Sequence, residues 1–193
     1  MIKRRKGNPM MKSQFELIAN YNAMMNQKIN SRLITLAQDE LWQDRGAFFG
    51  SILGTLNHLM VGDLLWLRRF DQLSTHPNRF QALIALNNFP VPTKLTEWLY
   101  LNKEDFLKNR QALDQIIIQF VAETTESDYL SILNYNNSQG LNFDKPFSLL
   151  LMHFFNHQTH HRGQMHNMVF QLTGISLELD LIYFQRENAC LYH

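Results

Sequence analysis

Cysteine is almost missing from this chain: Cys190 is the only one in 193 residues. A single thiol cannot close an internal disulfide, so a reducing compartment is expected, and with it a cytoplasmic location. Long apolar runs are missing too. None approaches the ~20 residues that a membrane-spanning helix requires. The basic stretch Lys3-Arg4-Arg5-Lys6 lacks the apolar segment that would follow it in a secretory signal. Neither sign of charge dominates, with 18 Lys and Arg against 17 Asp and Glu and a net charge of +1. That balance argues against a nucleic-acid partner or an anionic membrane surface. Internal repeats and low-complexity tracts are also absent.

What remains is a globular composition, 45% apolar and 18% charged, in a chain long enough for one domain with a sizeable core. Residues 1–12 read as a flexible N-terminal tail and 13–193 as a single domain. Ser13-Gln14-Phe15-Glu16 has the capping-box pattern of a helix start. After it, Ile18, Tyr21, Met25, Ile29, Leu33 and Leu36 recur at spacings of three and four. A second helix is expected from about Ala47 to Leu73; it has no charge between Ala47 and Asp63, so most of its circumference should be buried. Ser74, His76, Pro77, Asn78, Asn87, Asn88, Pro90 and Pro92 mark a long loop. A third helix is expected over 95–123. Residues 129–143 read as a β-hairpin around Asn136 to Gly140. A fourth helix should run from near Pro146 to a cap at Gly174, followed by an apolar tail that docks on the rest. The fold class is therefore all-α, a four-helix bundle with a small β-hairpin insert before the last long helix.

Five of the eight histidines fall within fourteen positions, 153 to 166. On a helix, His157 and His161 lie about 40° apart on one face, as do His153 and His157. His157 and His160 form an i, i+3 pair. Only His157 belongs to every pairing. His166 projects nearly opposite. An i, i+4 pair can present two ring nitrogens to one metal ion. The Glu that a zincin uses as its base is absent, as is any E-x-x-H, which disfavours a carboxylate-bridged di-iron site. C-x-x-C-H is absent, which excludes covalent haem attachment. Surface or satisfied core histidines are the bland alternative. The stripe carrying the pair otherwise holds Leu150, Phe154, Gln164 and Met168, so the imidazoles point inward and need partners. A third ligand would come from a facing helix. His58 sits mid-helix, on a face with Ser51, Gly54, Thr55 and Gly62. That leaves either close helix packing or a cavity beside a metal.

Several segments resemble the DinB-like (damage-inducible) family. They are N-H-Q-T-H-H-R-G-Q at 156–164, L-N-H-L-M-V-G-D at 56–63 and Y-N-A-M-M-N at 21–26. Tyr135 to Gly140 and Asp180-Leu181-Ile182-Tyr183-Phe184 match the family's hairpin and tail. The resemblance implies a four-helix bundle, often a homodimer, with a divalent metal held by three histidines. Those positions here are His58, His157 and His161. His160 stands where relatives often carry Tyr, and His153 is not a family ligand. Relatives include bacillithiol- and mycothiol-dependent transferases and isomerases.

The expected function is thus a metal-dependent enzyme that activates a low-molecular-weight thiol, or water, at a three-histidine site. The alternative is a non-catalytic metal-binding stress or interaction protein, which would have a closed four-ligand shell. Nitrogen-only ligation suits zinc or nickel. Gln164, Asn57, Asp63, His153 and His160 are candidates for supporting the ligands or orienting substrate. For Asn57 and Asp63 a plain helix-surface role is the competing reading, and Arg162 reads as structural.

Overall fold

The computed structural model describes residues 10–73 and 80–188. His76, Cys190, His193 and the basic run at 3–6 lie outside the described residues. Four long helices form the bundle: α1 (Met10–Leu33), α3 (Ile52–Phe70), α4 (Lys103–Glu123) and α6 (Phe147–Thr173). Shorter helices are α2 (Gln38–Trp42), α5 (Glu126–Tyr129) and α7 (Leu181–Glu187). The chain is mostly helical, and the antiparallel hairpin β1 (Ile132–Asn136) and β2 (Asn142–Pro146) precedes the last long helix as expected. Helix α1 packs on α4 and α6, and α3 packs chiefly on α6. No helix among the described residues is long and apolar enough to cross a membrane.

Several boundaries differ from the sequence expectation, each for a visible reason. Helix α1 already starts at Met10, so residues 10–12 are not tail and Ser13 is not its cap. Tertiary contacts hold this first turn instead. The Lys12 backbone N–H donates to Glu126 Oε1 at 2.8 Å, and its ammonium donates to the carbonyls of Ala122 and Thr124 at the end of α4. Helix α3 starts at Ile52 rather than Ala47, because Ser51 caps it through a bond from the Gly54 N–H. The preceding residues form a tight turn with Ala47 paired to Gly50, whose φ of 73° favours glycine. As expected, almost every side of α3 is buried.

Helix α4 starts at Lys103, eight residues after the expected Leu95. Asn102 caps it by accepting from the Asp105 N–H. The segment before it is held extended by Asn57, whose Oδ1 accepts the N–H groups of Leu99 and Tyr100 and whose Nδ2 donates to the Tyr100 carbonyl. Helix α2 grips the same segment through Trp42 stacked on Trp98 and Gln38 bonded to Leu101. The expected long loop contains a 3-10 segment, Gln81–Asn88, which places Leu83 and Leu86 in the core. The tail docks as expected: Tyr21 donates to the Leu179 carbonyl and its ring packs on Phe184.

The bundle centre is polar as well as apolar. Asp63 on α3 is fully buried and accepts from Arg110 of α4 at 2.5 Å and from Gln158 of α6. This corrects the helix-surface reading of Asp63. Arg110 also pairs with Asp114 at 2.7 Å. Asn26 of α1 donates to Asp114 and accepts from Arg162 of α6, which also donates to Asn22. Two buried aspartates thus balance two buried arginines, and one connected network joins all four long helices. Burial pushes the Asp114 carboxyl up to about 6, against the pull of Arg110. Removing one partner from such a network strands a buried charge. Arg110→Met is expected to lower unfolding free energy by about 3–5 kcal/mol. Urea denaturation measures this, and a loss below about 1 kcal/mol would mean that the pair behaves as a solvated one.

Candidate metal centre

His58 lies in the middle of α3, and His157 and His161 lie one turn apart on α6. Packing of α3 on α6 brings the three imidazoles together, with one nitrogen from each inside a group no more than 4.8 Å across. The Nε2 atoms of His58 and His157 are 3.2 Å apart. Two nitrogens on a tetrahedral zinc, each about 2.0–2.1 Å from it, are separated by about 3.3 Å. The donor chemistry and this spacing therefore fit a divalent ion, and the group can bind one. Other His, Cys, Asp or Glu side chains do not join this cluster among the described residues.

Close approach depends on Gly62, one turn beyond His58. A Cβ there would lie 3.1 Å from Cε1 of His157. Gly62 thus serves both of the readings that the sequence left open, since it lets the helices approach and admits an imidazole between them. Phe49, from the turn before α3, stacks on His58 with ring centroids 3.9 Å apart and meets His161 edge-on at 5.5 Å. Sequence reasoning missed Phe49 because it assigned 47–51 to the helix. The glycines at 46 and 50 were the available sign of a turn.

Hydrogen bonds orient two of the rings. Nδ1 of His161 is 2.8 Å from Gln164 Oε1, so Nδ1–H donates and Nε2 keeps its lone pair. Gln164 Nε2 in turn contacts His160 Nε2 at 3.2 Å. Nδ1 of His58 lies 3.4 Å from the Leu95 carbonyl. Asn57 touches no imidazole but fixes the segment that brings Leu95 there. Asp63 serves the bundle network and not the imidazoles. His153 is exposed, with its ring edge on Trp66 and its centroid 6.0 Å from that of His157. His166 faces away and accepts the Leu177 N–H at 2.9 Å.

Clefts open on both sides of His58. One, of about 240 Å³, is lined by Gly62, Trp66, Arg69, Tyr135 and His157 among others. The other, of about 190 Å³, is lined by Phe48, Phe49, Thr96, Glu97 and Trp98. His58 and Leu95 border both.

All three imidazoles favour the neutral form. Burial, with help from the neighbouring rings of His161 and His58, pushes His157 down to about 3. Burial also lowers His58 and His161, while the Leu95 and Gln164 bonds partly oppose it. A lowered histidine pKa means that the unfolded chain takes up protons first as pH falls. This contribution to stability is complete above the unfolded value near 6.5 and is lost as pH falls toward 3. Asp114 acts in the opposite direction, because its raised pKa favours the folded state in acid. Comparison with His157→Gln separates the two effects. In metal-free protein the wild-type urea midpoint should fall, relative to that variant, between pH 7 and pH 5. Parallel pH profiles would contradict the assignment.

The DinB family model matches residues 10–187. Comparison with curated proteins gives no match, and comparison with solved structures gives none. The match spans the whole bundle, from the first residue of α1 to the last of α7, and includes all three clustered histidines: the chain belongs to the DinB family.

Proposed function

We propose that the protein is a metal-dependent enzyme that presents a low-molecular-weight thiol, or water in its place, to an electrophile. His58, His157 and His161 would hold the ion, with zinc or nickel best suited to nitrogen ligation. One observation carries this reading. Three neutral imidazoles converge beside two clefts without a fourth protein ligand among the described residues. A structural site is usually closed by four protein ligands, whereas a catalytic one keeps a position for water or substrate. The family resemblance adds thiol chemistry to the candidates.

A divalent ion bound there would lower the pKa of a thiol or water toward neutrality. The remaining roles belong to the protein. Gln164 holds the tautomer of His161. Phe49 covers one flank of the triad. Glu97 borders the aromatic cleft, where its Oε2 accepts from the Thr93 N–H and hydroxyl; these bonds lower its pKa and make it a weaker base. Thiolate attack needs no such base once the thiol proton has left.

One equivalent of divalent metal per chain is expected in tag-free protein by elemental analysis, with His157→Ala reduced to background. Equal content in both would remove the assignment. With a panel of thiols and electrophiles, turnover should vanish on chelation and return on reloading; chelator-insensitive turnover would exclude a catalytic metal. We further propose a homodimer, on the family resemblance. Light scattering should give twice the chain mass, and a value of 22.8 kDa would contradict it.

A further inference from the structure

Two arginines end helix α3, and they are treated differently. Arg68 donates to three carbonyls, those of Leu86, Phe89 and Pro90. Arg69 has no hydrogen-bond acceptor and no ion-pair partner among the described residues. Its guanidinium lies over the Trp66 ring at 4.7 Å and near the Tyr135 ring at 5.5 Å. These ring contacts back the guanidinium but leave its five N–H donors without an acceptor among the described residues. Arg69 lines the same cleft as His58 and His157.

The rest of that cleft suits an anion. Among the described residues that line it there is no carboxylate. The hairpin loop adds Ser138 and Asn137, whose Oδ1 already accepts the N–H groups of Gln139 and Leu141, so its amide N–H₂ remains to donate. His58, Gly62, Trp66 and Arg69 follow one another along one face of α3. Eleven residues of helix separate His58 from Arg69, about 16 Å along the axis. Both side chains lean toward the helix N-terminus, the longer arginine further, so guanidinium and imidazole are somewhat closer along the axis than their Cα positions. A volume of about 240 Å³ admits a small molecule.

The geometry points to Arg69 as the anchor for a carboxylate on the small molecule whose other end reaches the three histidines. Planar, aromatic-backed guanidinium is suited to bidentate carboxylate recognition. The substrate class is then a small thiol carrying a carboxylate at its far end, with a sulfur-to-carboxylate span shorter than the Arg69–His58 separation because the ion pair and the metal–ligand bonds take up part of it. The sulfur end of this inference rests on the metal reading above; the carboxylate end does not.

Two measurements separate these parts. Chelated protein is titrated with adipate, a dicarboxylate without a thiol, and followed by tryptophan fluorescence. Saturable quenching is expected in wild type, at least about tenfold weaker in Arg69→Gln and partly restored in Arg69→Lys. Absence of saturation in wild type, or equal affinity in a folded Arg69→Gln, overturns the anchor. Cobalt-loaded wild type is then titrated with 6-mercaptohexanoate and with 6-mercapto-1-hexanol, reading the thiolate-to-cobalt absorption band. The carboxylate thiol should bind at least about tenfold more tightly. This comparison needs no variant, and equal affinities overturn the inference that one ligand spans both ends. Failure to take up cobalt, with adipate binding intact, overturns the metal reading and leaves the anchor standing.

Discussion

Asp63 accepts hydrogen bonds from two helices at once, Arg110 of α4 and Gln158 of α6, in a place water does not reach. An apolar interface tolerates sliding, because one leucine contact resembles the next. A buried carboxylate does not, since losing either donor leaves a charge uncompensated. The junction therefore fixes the register of α3 against α6. Gln158 directly follows His157, and Asp63 lies five residues beyond His58, so the contact that fixes register sits about one turn from the imidazoles. Arg162, adjacent to His161, anchors α6 to α1 through Asn22 and Asn26. The two histidines of α6 are thus each neighboured in sequence by a residue that belongs to the bundle network.

That arrangement opposes a local tendency to separate. Neutral imidazoles with lone pairs directed at one another gain little from proximity, and any proton taken up by one raises the cost for the others. The triad is held together by what surrounds it: the missing side chain at Gly62, the Phe49 ring on His58, and Gln164 bonded to His161. Nothing in a plain hydrophobic core would require this set of contacts. An ion that binds only the folded protein would return stability that rises with the logarithm of its affinity, so binding and folding would be coupled here.

The parts of this structure that were legible in the sequence are those that depend on periodicity and residue type. The four long helices, the hairpin centred on Asn136 to Gly140, the Gly174 cap and the docking tail follow from local patterns. So does the inward stripe on α6, and His58 as the partner residue. The starts of α1, α3 and α4 did not follow, because each is set by a residue distant in sequence or by a competing cap. Ser13 has the form of a cap, yet Glu126 supplies the acceptor. Residues 95–101 have helical composition, yet Leu95 and Thr96 form a turn, and Asn57, about forty positions earlier, holds the backbone at Leu99 and Tyr100 out of the helix. Asp63 looked like the first charge on an otherwise apolar stretch and so like a surface residue. Its partners, Arg110 and Gln158, are invisible at any local spacing.

The same distant effect gives the site its asymmetry. Because Asn57 and Trp42 hold residues 98–100 out of the helix and Leu95 sits in the turn before them, Leu95 reaches His58 and Trp98 lines the aromatic cleft. Had the helix started at Leu95 as its composition suggests, no backbone carbonyl would be presented to His58 there, and the two clefts would not share this divider. One flank of the histidines is therefore aromatic and built from the turn before α3 and from the extended segment. The other carries a guanidinium and the hairpin loop. Two chemically different flanks beside one group of histidines would suit the transfer proposed above, since a charged nucleophile and an apolar electrophile could then approach from separate sides and neither would displace the other.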